Sequence, residues 1–219
     1  MDSFINFISS FMSSINDTKD TSIGEIKDES LIFYDFETTG LNPFSSKIIE
    51  YAFMKSEDDY ISSLVNPETK FEFKITQITG IYPQELEDKP TIKDKKDEIL
   101  NYIYSDDTQT YLVAHNNDGF DKWFFKKIVQ QQDAIDFKEF KFIDTLILAK
   151  MLYPKIKSFS MKSLCQKFNI DLSAHRAYND TDALRKVYEY MCNDLSTVLH
   201  MSKQDILDNP GIVYTYIYE

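Results

Sequence analysis

Phe33-Tyr34-Asp35-Phe36-Glu37-Thr38-Thr39-Gly40-Leu41-Asn42-Pro43 follows directly on the apolar pair Leu31-Ile32. Along a β-strand, residues i and i+2 share a face, so Asp35 and Glu37 project side by side at the strand's end. Two neighbouring carboxylates repel each other unless positive charge lies between them. A hard divalent cation such as Mg²⁺ answers that need. Thr38-Thr39-Gly40 then turns the chain, and Pro43 ends regular pairing. An Asp-x-Glu pair on its own is usually a solvated strand end. Two acidic sites further along the chain change its meaning.

The first is Asp121, in His115-Asn116-Asn117-Asp118-Gly119-Phe120-Asp121-Lys122-Trp123-Phe124-Phe125. It falls in the first turn of a predicted helix over 120–131, where a carboxylate is favoured by the helix dipole. At 3.6 residues per turn it aligns with Phe124, Phe125 and Ile128 and faces inward. Asp118 reads as a loop or capping residue. The second is Asp180, in His175-Arg176-Ala177-Tyr178-Asn179-Asp180-Thr181-Asp182. It shares a helical face with Leu184, Val187, Tyr188 and Met191, whereas Asp182 falls nearly opposite and is expected in solvent. His175, in the loop before that helix, can lean over the same site as a general base.

The remaining pattern sets these sites in an α/β frame. Strands are expected over 31–36, 48–54, 60–65, 110–114 and 140–143. Helices are expected over 91–104, 120–131, 145–152, 158–168 and 179–193, with a short helical turn over 75–81. Three early strands followed by alternating helices and strands imply a mixed five-stranded sheet flanked by helices. Residues 1–29 read as an amphipathic arm and a polar linker; Phe4, Phe7, Ile8, Phe11, Met12 and Ile15 share one face that docks on the domain itself or on a partner. The domain is expected over 30–195. A C-terminal extension over 196–219 is expected to pack on it as a short helix, a Pro-Gly turn and an aromatic end.

The chain of 219 residues carries a net charge of −12 and 42% hydrophobic residues, enough for one real core. The charge is uneven. From Lys122 to Lys186 there are 13 Lys+Arg against 7 Asp+Glu, a local +6, while the remainder has 11 against 29. These lysines either form a basic face beside the acidic site or scatter over solvated surfaces. Cys165 and Cys192 form neither a disulfide framework nor a metal pattern and read as core thiols of a reducing, intracellular and cytoplasmic setting, with the nucleus left open. No run of about 18 apolar residues exists, so no membrane span is expected. The arm lacks the early positive charge of a signal or transit peptide.

Together these segments resemble the three motifs of the DnaQ-like 3′→5′ exonuclease superfamily, the DEDDh group of the ribonuclease H-like fold, over about residues 30–192. Asp35-Phe36-Glu37-Thr38-Thr39-Gly40-Leu41 is very close to the first motif; Asp121 fills the second; His175 and Asp180 fill the third. Ile78-Thr79-Gly80-Ile81 and Asp144-Thr145-Leu146 also look similar to flanking features of this family. The spacing from His115 to Asp121 resembles that of three-prime repair exonucleases. A sister group uses a tyrosine three residues before its last aspartate, a spacing that Tyr178 and Asp182 satisfy. Helical phase puts Asp182 on the wrong face for it, and His175-Arg176-Ala177 resembles the histidine group.

The resemblance implies that Asp35, Glu37, Asp121 and Asp180 bind two Mg²⁺ or Mn²⁺ ions, with His175 taking a proton from the attacking water. It also implies that Phe36, Thr38 and Leu41 hold the terminal nucleotide, that Asn116 contacts a phosphate, and that nucleoside 5′-monophosphates are released. Lys155, Lys157, Lys162, Lys167 and Arg176 would contact phosphates along the strand's approach. The implied substrate is the 3′ end of single-stranded or frayed DNA, in proofreading or repair; RNA is the alternative, and recognition of the 2′-hydroxyl separates the two. A polymerase partner or a homodimer stays open. A catalytically dead binding scaffold would lack an acid or the histidine, and none is missing. On this reading Asp121→Ala and His175→Ala each abolish most turnover, whereas Asp182→Ala does not. An inactive Asp182→Ala protein that remained folded would overturn the assignment.

Overall fold

The computed structural model describes residues 28–130, 135–172 and 175–218. The amphipathic arm and nearly all of the linker expected over 1–29 lie outside these residues. Strands β1 (Asp28–Thr38), β2 (Ile48–Ser56) and β3 (Asp59–Leu64) form the expected antiparallel meander. Strands β4 (Thr108–Ala114) and β5 (Phe140–Asp144) extend the sheet in parallel from β1, in the order β3-β2-β1-β4-β5. This is the mixed five-stranded sheet of the ribonuclease H-like fold. β1 begins three residues earlier than expected because Asp28, Glu29 and Ser30 pair with Thr108, Gln109 and Thr110 of β4. These polar residues join the strand through hydrogen bonds, which leave no hydrophobic signature.

Alternation along β1 divides the core into two layers. Ile32, Tyr34 and Phe36 face a layer that includes helices α2 (Ile92–Ile103) and α3 (Asp121–Val129). Phe33 faces the opposite layer, built with α4 (Thr145–Leu152), α5 (Met161–Phe168) and the long α6 (Ala177–Leu199). Asp35 and Glu37 continue the phase of Phe33. A shorter helix, α1 (Phe73–Thr79), is stopped by Gly80, whose φ of 71° suits a residue without a Cβ.

Local capping sets most of the helix boundaries. Thr91 and Asp94 form a reciprocal capping box at the start of α2. Ser160 accepts a hydrogen bond from the Ser163 amide, so α5 starts after the serines and not at 158 as expected. Asp144 caps α4 by accepting from the Leu146 amide at 2.8 Å. α6 is longer than expected at both ends. It begins on the buried Ala177 and carries Leu195 and Leu199 into the core, and His200 closes it in a left-handed conformation.

The C-terminal stretch differs from its reading as a helix, a turn and an aromatic end. It forms two helices, α7 (Lys203–Asp208) and α8 (Pro210–Tyr218). The Pro-Gly pair opens α8 and does not make a turn, since proline at the first helical position gives up no needed hydrogen bond. The Gly211 amide donates to Glu29 Oε2 at 3.1 Å, and Ile212 and Val213 are fully buried. Both cysteines are free and buried. Among the described residues no helix is long and apolar enough to cross a membrane.

Much of the aromatic share collects in the layer over α3. Phe125 is fully buried and packs edge-on against Tyr34, Phe53, Phe140 and Phe142. Its truncation leaves a cavity that four rigid rings cannot close. Phe125→Ala is expected to cost about 3–5 kcal/mol of stability, read from urea unfolding; a loss under about 1 kcal/mol would show that the layer can collapse.

Candidate active site

The acidic residues meet where the parallel strands β1 and β4 end. In open α/β sheets this is the crevice that ligands use, beside the point where strand order reverses. Asp35 and Glu37 come from the end of β1 on the face covered by α6. A bulge between Glu37 and Thr38 then shifts the register with β2, so that Thr38 pairs with Ile48. The turn is held by the Thr38 hydroxyl donating to the Gly40 carbonyl at 2.7 Å and by the Thr39 amide donating to the Lys47 carbonyl at 2.8 Å. It leaves Leu41 84% exposed at the rim.

Asp121 is the first residue of α3 and is 3% exposed, inward as its helical phase predicts. It is delivered by a tightly tied turn. The Asn117 side chain accepts from the Tyr34 hydroxyl and donates to the carbonyls of Leu112 and Ile143. Asp144, besides capping α4, accepts from the amides of Asn116 at 3.0 Å and Asp118 at 3.1 Å. One carboxylate therefore fixes both a helix start and the turn that presents Asp121. Asp118 is bound by Lys122 and by the Tyr218 hydroxyl.

From α6, Asp180 points back at its own N-terminus. Its Oδ2 accepts from the amides of His175 at 2.6 Å and Arg176 at 3.2 Å. Glu37, His175 and Asp180 bring one ligand atom each within 4.8 Å of one another. They line a cavity of about 300 Å³ together with Asp35, Phe36, Thr38, Leu41, His115 and Phe120. Asp182 is turned away and is held by Arg185 and Lys186, so it is ion-paired where free solvation was expected. Asn116 does not line the cavity; its φ of 63° makes the turn.

Electrostatics mark this cluster as charge waiting for a counter-charge. Burial raises the Asp35 carboxyl well above its usual range, and the charges of Asp121, Glu37, Asp180 and Glu50 raise it further. Glu37 is pushed up to about 8 by burial, then by Asp180 and Glu50, with Arg176 opposing. Burial raises Asp121, against hydrogen bonds from the Phe36 and Asp121 amides. It raises Asp180 too, against the His175 amide. Asp121 Oδ1 is buried without a hydrogen-bond partner. An orphaned carboxylate oxygen beside three raised carboxyls fits a hard divalent cation.

Sequence reading missed Glu50 and the internal use of Arg176. Glu50 lies directly opposite Glu37 in the β1–β2 register and is 3% exposed. Its signal was present: one acid inside the apolar run Ile48-Ile49-Glu50-Tyr51-Ala52-Phe53 requires a partner. That partner is Arg176, whose guanidinium donates to Glu50 at 2.8 Å. It had been expected beside the substrate strand.

The cluster couples stability to pH and to cations. Glu37 titrates ordinarily at 4.5 and at about 8 in the fold. Below its ordinary value it is protonated in both states and carries no penalty. As pH rises toward about 8, only the unfolded chain ionises freely, and the fold loses stability. The metal-free protein is therefore expected to lose melting temperature across this window more steeply than Glu37→Gln does. Mn²⁺ should restore it, by about 2.7 kcal/mol at a hundred times its Kd. Calorimetric melts that ignored both pH and Mn²⁺ would contradict the cluster's role.

The match to known proteins covers the same span. The RNase T exonuclease family model matches residues 32–188. The PolC-type DNA polymerase III of Bacillus subtilis is 33% identical over 195 residues, covering 85% of this chain and 13% of the relative. That of Halalkalibacterium halodurans is 31% identical over 189 residues, covering 84% and 13%. The chain thus spans about one eighth of the length of these curated relatives. Among solved structures, a zinc-bound complex of Escherichia coli exonuclease I with single-stranded DNA superposes with a TM-score of 0.67 at 20% identity, covering 80% of this chain and 42% of that one. Exonuclease I of Methylocaldum szegediense gives 0.61 at 18% identity, covering 82% and 43%. These likenesses report the fold. The family match takes in β1 with Asp35 and Glu37, α3 with Asp121, and the start of α6 with Asp180, and on it the chain belongs to the RNase T exonuclease family.

Proposed function

We propose that this domain is a metal-dependent 3′→5′ DNA exonuclease of the proofreading or repair type. The observation that carries the reading is the convergence of Glu37, His175 and Asp180 within 4.8 Å, beside the orphaned oxygen of Asp121. Asp35, Glu37, Asp121 and Asp180 would hold two Mg²⁺ or Mn²⁺ ions. Bound there, such ions supply the charge that lets a polyanionic phosphate approach four carboxylates, and they activate water for in-line attack.

The rest is work for the chain's own side chains. His175 stands at the cavity mouth and accepts the proton of the attacking water at its imidazole. Water oxygen bonds to phosphorus, the bond to the 3′-oxygen breaks, and a nucleoside 5′-monophosphate leaves while the departing 3′-oxygen takes a proton from solvent, so that the shortened strand keeps a 3′-hydroxyl. Leu41 is exposed at the rim and packs on the terminal base. Phe36 and Thr38 border the same nucleotide. Lys155, Lys157 and Lys162 are solvent-exposed and are available to phosphates further along the strand. The similarity to PolC-type DNA polymerase III supports DNA as the polymer and a polymerase as partner.

Matched 5′-labelled DNA and RNA oligonucleotides, incubated with the protein and Mg²⁺, test this directly. A single-nucleotide ladder that runs faster on DNA and disappears in chelator is expected. A faster ladder on RNA would reassign the polymer, and no ladder on either would overturn the reading.

A further inference from the structure

Three successive backbone amides lead into α6, and two carboxylates hold all three. Asp180 Oδ2 accepts from His175 N at 2.6 Å and from Arg176 N at 3.2 Å. Glu50 Oε2, reaching across from β2, accepts from Ala177 N at 2.9 Å. Glu50 also grips the Arg176 side chain, accepting at Oε1 from Nε at 3.1 Å and from Nη2 at 2.8 Å. The loop before α6 is thereby fastened to the middle of the sheet by one side chain.

That fastening sits next to strained backbone. His175 has a φ of 69°, a left-handed conformation that a residue with a Cβ adopts only when its surroundings impose it. Arg176 follows at once, in an extended conformation with φ −136° and ψ 122°. The sharp change between the two residues aims the imidazole at the cavity. Nothing in the strand pairing requires an acid at position 50. A like charge directly opposite Glu37 opposes sheet formation, and Arg176 offsets it. Glu50 does not line the cavity.

We propose that Glu50 and Arg176 form a positioning pair for His175. By tying the Arg176 side chain and the Ala177 amide to β2, they hold the left-handed turn that presents the imidazole. The pair touches neither the scissile phosphate nor the proposed cations and acts through His175. This rests on the exonuclease reading for its consequence, but not for the existence of the clamp.

Four variants of the full chain separate the two: Arg176→Ala, Arg176→Lys, Glu50→Gln, and Glu50→Gln with Arg176→Ala. The Arg176 side chain is 54% exposed, so its replacement leaves the core intact. Hydrogen exchange of the peptide spanning 175–180 reads the clamp without any activity. Steady-state hydrolysis of single-stranded DNA with Mg²⁺ reads its consequence. Arg176→Ala is expected to speed exchange at residues 175–177 and to lower kcat by about 100-fold, the scale on which misplacing a catalytic group by an ångström acts. KM should stay near the parent value. Arg176→Lys keeps the charge but loses the fork and should recover only part of kcat. The double variant should be little worse than the poorer single, because both remove one unit.

Parental exchange in Arg176→Ala would overturn the clamp. A loosened loop with parental kcat, or a rise in KM with kcat intact, would overturn the positioning role. A parent protein inactive on DNA and RNA would remove the exonuclease reading and leave the exchange result to judge the clamp alone.

Discussion

Everything near the mouth of this domain answers one constraint: several carboxylates are withdrawn from water at a single point without protein cations enough to balance them. Burial raises the carboxyls of Asp35, Glu37, Asp121 and Asp180 together, and the charges of Glu37, Asp121 and Asp180 raise Asp35 further. A chain selected for stability alone would disperse such charges or pair each with lysine or arginine. Here the guanidinium of Arg176, beside the cluster, is committed to Glu50. On the exonuclease reading proposed above, the unbalanced charge is the functional part, because affinity for small hard cations would then belong to the fold and not to any one side chain.

The sheet is what makes that concentration affordable. Strands β1, β4 and β5 are parallel and point the same way, β4 and β5 ending in register and β1 running on past them, so the chain leaves the sheet three times at one end. Asp35 and Glu37 come from the first exit, Asp121 from the turn after the second, and the cap residue Asp144 from the third. Asp144 links the last two exits by accepting from the 116–118 turn and from α4 at once. The fourth acid arrives from α6, which packs on the opposite layer from α3. The cluster is therefore pinned from both faces of a rigid sheet, the arrangement that keeps like charges from drifting apart.

What the sequence revealed and what it hid divide along a physical line. Asp35, Glu37, Asp121 and Asp180 were legible because strand alternation and helical phase are local: Asp121 lies with Phe124, Phe125 and Ile128, and they are buried together. The five strands were legible for the same reason. Helix starts shifted by a turn or less, because the cap that decides them is one hydroxyl or carboxylate, as Ser160 decides α5. The Pro-Gly opening of α8 misled, since proline breaks a helix in mid-course but is suited to its first residue. That Glu50 needs a partner was legible from its apolar run, but that the partner is Arg176 was not: the two are 126 residues apart, and only the fold makes them neighbours.

Those long-range contacts share one task. Asn117 with Tyr34 is joined across 83 residues and Arg176 with Glu50 across 126. Each pair ends on a loop that carries a candidate site residue: Asn117 on the turn before Asp121, Arg176 beside His175. The motifs therefore supply the chemical groups, and buried polar pairs anchored in β1 and β2 supply their placement. A hydrogen bond made by a buried strand residue is a firm anchor, because water is not there to replace it and breaking it strands a polar group. Candidate catalytic groups next to loops need such anchors more than groups on strands do. Asp35 and Glu37, inside β1, are oriented by the sheet itself, while Asp121 and His175 stand at the ends of helices and are oriented by what ties those ends down.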